Sequence, residues 1–110
     1  MSGSFGDREK AFESKWAHDE EMRFKIIARR NKLLGRWAAE QMGLSGTAAE
    51  DYAKGVVQAD FLEPGHEDVV RKLQTDFEAK GVARTDHAIR LKMEELLAVA
   101  ADQIQHETGK

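Results

Sequence analysis

RFKIIARRNKLLGRW, Arg23 to Trp37, decides the fold. At about 100° per residue, Ile26, Ile27, Leu33, Leu34 and Trp37 gather on one side of a helix. Six Lys/Arg and no acid lie between Arg23 and Arg36, interleaved with that stripe, and they read as the helix's outer face. The same period recurs downstream. Val70, Leu73 and Phe77 align, as do Ile89, Met93, Leu96, Ala100 and Ile104. Ala49, Tyr52, Val56 and Ala59 share a side of a further helix, on which Gly55 is expected to admit a close helix contact.

Turn signals separate these stripes. Gly43 reads as the residue just past a helix end, with a loop to Gly46. Thr47 to Glu50 reads as a capping box opening a helix that runs to about Leu62, where Glu63-Pro64-Gly65 breaks it. The next helix starts near His66 or Glu67, its acids suited to the positive end of the dipole, and stops at Gly81. Thr85-Asp86 caps a last helix that frays around His106. One proline, no cysteine and abundant Ala, Glu, Lys, Arg and Leu agree. The expected fold is all-α, a four-helix antiparallel bundle over residues 23–110 with a mobile or partly helical N-terminal arm, residues 1–22.

That arm is unlike the bundle. DREKAFESKWAHDEEMRFK, Asp7 to Lys25, carries 11 charges in 19 residues, yet also Phe12, Trp16, Met22 and Phe24. Phe5, Phe12 and Trp16 extend the sector of Ile27, Leu34 and Trp37, but Asp19 and Arg23 interrupt it. Burying Phe12 and Trp16 contributes roughly 2–3 kcal/mol each. Ordering about twenty residues costs about 1–2 kcal/mol apiece before hydrogen bonds offset it. The segment is too polar to bury against its own chain and too aromatic to be plain surface, which points to a partner that orders it.

Other chemistry is sparse. Without cysteine there are no disulfides or thiolate metal sites, which suits a reducing compartment. No apolar leader and no run of ~18–20 apolar residues appears, so a cytoplasmic location without membrane insertion is expected. Asp60, Glu63, His66, Glu67 and Asp68 crowd the Pro-Gly turn, but helix-end acids explain them, and no metal or cofactor is expected. His18 has no second imidazole nearby, and His87 and His106 sit at helix ends. No nucleophile elbow, phosphate loop or paired carboxylates stand out, so no enzyme is expected.

Two binding readings remain open. Arg29 and Arg30 are a candidate phosphate contact, as in a purine nucleotide sensor, because paired guanidiniums match phosphate oxygens. The Arg23–Arg36 face is a candidate nucleic-acid surface, although a solvated face is commoner and the acidic balance, a net charge of −3, disfavours it.

Several runs together resemble a known family. They are Phe5-x-Asp7-Arg8-Glu9, Lys15 to Asp19, Met22-x-Phe24-Lys25, Ala28 to Asn31, and Leu33-Leu34-Gly35-x-Trp37-Ala38-Ala39. Asp60-Phe61-x-Glu63-Pro64-Gly65-x-Glu67-Asp68-Val69 and Arg71-Lys72-Leu73 join them. The chain is similar to the zeta subunit of alphaproteobacterial F-type ATP synthases, departing at Trp16, where Phe is common, and in a longer Gly81–Asp86 connection. The resemblance implies a noncatalytic inhibitor of ATP hydrolysis. Its partner would be the catalytic head of the synthase, with weak ATP or ADP binding as a further family trait. The N-terminal arm would insert as a helix at a catalytic interface and block rotation, with Phe5, Asp7, Arg8, Glu9, Phe12 and Trp16 as the inserting residues. The protein would then be cytoplasmic, and peripheral to the inner membrane when bound.

Overall fold

The computed structural model describes residues 20–62 and 66–108. Four helices account for them: α1, Glu20–Gln41; α2, Gly46–Leu62; α3, His66–Ala79; and α4, Asp86–Thr108. α1 packs most extensively against α2 and α4, and α3 closes the ring against α2 and α4. Cross-links set the directions. Arg36 pairs with Glu50 and Asn31 with Asp60, so α1 and α2 run antiparallel. Arg29 meets Glu107 while Lys92 lies over Trp37, so α1 and α4 also run antiparallel.

Most of the predicted stripes meet in the interior, but on α2 Ala53 and Val56 are buried while Ala49, Tyr52 and Ala59 are only half-buried. Leu34 and Ala38 of α1, Val56 of α2, Val69, Val70, Leu73 and Phe77 of α3, and Ile89 and Met93 of α4 form one core. Trp37 sets its ring edge-on to Phe77, with centroids 5.7 Å apart. A second cluster lies toward the other end of the long helices, where Ile26 packs on Ala100, Ala101 and Ile104, flanked by Met22, Leu33 and Leu97.

The helix ends follow local chemistry. Gly43 and Gly81 adopt φ of 81° and 70°. After each, an amide bonds back five residues to close the helix: Leu44 N–H to Ala39 O at 2.8 Å, and Val82 N–H to Phe77 O at 2.8 Å. Thr85 caps α4 by accepting the Ala88 amide at 3.0 Å.

Two local expectations are corrected. α2 starts one residue early, at Gly46, and both Glu50 oxygens accept from Arg36 at 3.0 and 3.1 Å, so this carboxylate ties two helices together. The close helix contact belongs to Gly35, not Gly55. A Cβ on Gly35 would stand 2.6 Å from the Ala53 Cα, whereas one on Gly55 would meet only the Lys72 Cε at 3.9 Å. The missing side chain at Gly35 lets the backbones of α1 and α2 approach.

Candidate functional site

Glu20, the first described residue of α1, continues directly from the N-terminal segment, so this end of the bundle is that segment's root. Phe5, Asp7, Arg8, Glu9, Phe12 and Trp16 lie outside the described residues, as does His18. The root carries Glu20 and Glu21 in its first turn, favourable at the positive end of the helix dipole. Lys25 reaches Glu21 at 3.8 Å across one exposed turn. Phe24 is 60% exposed.

Arg29 fastens this end to α4. Its Nη1 donates to Gln103 Oε1 at 2.8 Å, and its Nη2 to Glu107 Oε1 at 3.0 Å. Nη1 also stands 2.8 Å from Glu107 Oε2. The hydrogen bond from Arg29, with the charges of Arg29 and Lys25, holds the Glu107 carboxyl below its ordinary value of 4.5.

Arg30 is adjacent in sequence and opposite in fate. It is 2% exposed, and Asn31 is 1% exposed. Arg30 Nε donates to Asn31 Oδ1 at 2.8 Å, and Asn31 Nδ2 donates to Asp60 Oδ2 at 3.0 Å on the last turn of α2. Burial pushes the Arg30 guanidinium down from its ordinary value, and the Asp60 charge pulls it back up. This buried polar pair separates the two apolar clusters along α1, because Ile26, Arg30 and Leu34 recur every fourth residue on one face. The expectation that the positive charges of Arg23–Arg36 all lie outside is therefore corrected at Arg30. Arg23, Lys25, Lys32 and Arg36 are exposed. Asn31 was the missed signal, a polar residue on the core face between the two halves of the stripe.

The two guanidiniums of the candidate phosphate contact thus diverge, Arg29 to α4 and Arg30 to the α1–α2 junction. The acids near the Pro-Gly turn diverge too. Asp60 accepts from Asn31, Glu67 from Arg90 at 2.7 and 2.8 Å, and Asp68 from Arg71 at 2.9 Å. Among the described residues, no three His, Asp or Glu side chains come together to hold a metal. Glu63, the remaining acid of that group, lies outside the described residues. His87 and His106 are exposed, the latter with Nδ1 2.8 Å from the Asp102 carbonyl. Tyr52 donates to Asp76 at 2.6 Å beside Lys72, and burial with that bond drives its hydroxyl far up, so it stays protonated.

Residues 1–103 match the family model for ATPase inhibitor subunit zeta. The chain belongs to this family. A search of curated protein sequences gives no match. A solved structure described as "Solution NMR structure of the protein" shares 51% identity and a TM-score of 0.69, covering 78% of this chain and 98% of that one. Membership in the zeta family makes the chain a noncatalytic ATPase inhibitor associated with the F-type ATP synthase. Among the described residues, no helix is long and apolar enough to cross a membrane.

Proposed function

We propose that this zeta-family chain inhibits hydrolysis by inserting residues 1–22 as a helix at a catalytic interface in the head of the synthase, blocking rotation in the hydrolytic direction. Phe5, Phe12 and Trp16 supply the apolar anchors, while Asp7, Arg8 and Glu9 fix orientation and register. The bundle docks outside and keeps the segment at high local concentration. The protein itself stays in the cytoplasm and meets the inner membrane's periphery only through the synthase.

The observation that carries this reading is the family match beginning at residue 1, so that it includes the whole aromatic, charged segment upstream of α1. As a helix, residues 1–19 would reach about 29 Å beyond the start of α1. The test is removal of residues 1–19, with hydrolysis measured on purified F-type ATPase. Inhibition should be lost while circular dichroism retains a cooperative helical melt. Undiminished inhibition by the shortened chain would defeat the mechanism. Titrating ATP and ADP into labelled protein examines the nucleotide reading separately, since binding at Arg29 or Arg30 must break the bonds each now makes.

A further inference from the structure

α2 ends at Leu62, and its last turn meets α1 through the Asp60–Asn31 bond. Upstream of that point, among the described side chains, the apolar support for α1 comes from α4. Ile26 rests on Ala100, Ala101 and Ile104, two of which are alanines that bury little area, with Leu97 of α4 packed alongside. A helix end held by few apolar contacts opens at low free energy, one turn at a time. Arg29 provides a polar tie across this stretch. Arg29 grips Gln103 and Glu107, which sit four residues apart on the same face of α4, so a single guanidinium spans two successive turns. The Arg29 side chain is 27% exposed and that of Glu107 53%, so the Gln103 bond is the better shielded from water and the Glu107 bond the more screened.

We propose that Arg29, Gln103 and Glu107 are positioning residues for the inhibitory segment: the clasp fixes where ordered α1 begins and along which axis the preceding residues leave the bundle. This rests on the insertion mechanism above. None of the three needs to touch the ATPase. If the clasp opens and α1 unwinds by one turn, the origin of the segment moves by about 5.4 Å. Its heading is then no longer set by the bundle, and its effective concentration at the target falls.

The experiment compares the full-length chain with Glu107→Ala, Gln103→Ala and the reversed pair Arg29→Glu/Glu107→Arg. Amide exchange is read at residues 20–28 and inhibitory potency on purified F-type ATPase. Glu107→Ala should speed exchange at residues 20–28 and weaken potency about two- to fivefold, the range for partly exposed ion pairs. Whole-protein unfolding should change little. Gln103→Ala should act in the same direction but less, and the reversed pair should recover most of the potency. The proposal is overturned if exchange is unchanged in Glu107→Ala, or if exchange quickens while potency holds. A parent chain that does not inhibit sinks the insertion mechanism and this role with it; that result is recognisable because the exchange comparison needs no ATPase.

Discussion

Around Leu34 and Phe77 all four helices contribute to one core, whereas among the described side chains the cluster around Ile26 is drawn from α1 and α4 and includes two alanines. The same α1 helix passes through both settings, and the buried Arg30–Asn31 pair marks the crossing. In the four-helix part, ion pairs such as Arg36–Glu50 decorate a structure that apolar packing already fixes. In the two-helix part, Arg29–Glu107 ties an edge that packing holds less firmly. An ion pair's importance is set less by its own geometry than by what else holds the same segment.

The largest expected effect contrasts the two clusters directly. Phe77→Ala removes a side chain that is 1% exposed and edge-packed on Trp37, and should cost about 3–5 kcal/mol in urea unfolding. Ile104→Ala should cost about 2 kcal/mol, and amide exchange should rise mainly at the α1–α4 end. Equal costs, with equally global exchange, would erase the distinction between the regions.

A glycine pair gives the next effect. Gly35→Ala gains helix propensity but sets its methyl group against the Ala53 backbone, so α1 and α2 must separate, for a net loss of about 1–3 kcal/mol. Gly55→Ala meets nothing closer than ordinary contact and should stabilise by about 0.5–1 kcal/mol. Thermal melts of both variants check the opposite signs. Stabilisation by Gly35→Ala would mean that the helices do not depend on that close approach.

The smallest effect is on pH. The carboxyls of Glu50 and Glu107 are both held below their ordinary value of 4.5, chiefly by hydrogen bonds from Arg36 and Arg29. A lowered folded value stabilises above the unfolded value, and that contribution disappears as pH falls from about 4.5 through the folded value. Both pairs should therefore weaken below about pH 4.5. Amides of the last turn of α4 and the first turns of α1 should lose protection first, because the Glu50 pair is backed by the four-helix core. Simultaneous loss at both ends would contradict that ordering.

Much of the bundle was legible beforehand. Periodicity located the apolar faces of α3 and α4, and glycine and threonine punctuation located their ends to within a residue or two, because those signals act within one turn of their own helix. The α1 stripe was only partly read. Ile26 and Leu34 are buried and Ile27, Leu33 and Trp37 half-buried, while Arg30 and Asn31 between them were missed.

The amino-acid order by itself determined four helices, their approximate bounds, and an aromatic, charged segment ahead of them that resembles a known family's. Tertiary structure alone decided which glycine admits a neighbouring backbone, which of two adjacent arginines is buried, and which carboxylates answer them. Asn31 and Asp60 are 29 positions apart, and Arg29 and Glu107 are 78 apart. A helical period specifies which residues share a face, but it carries no record of which distant residue that face will meet.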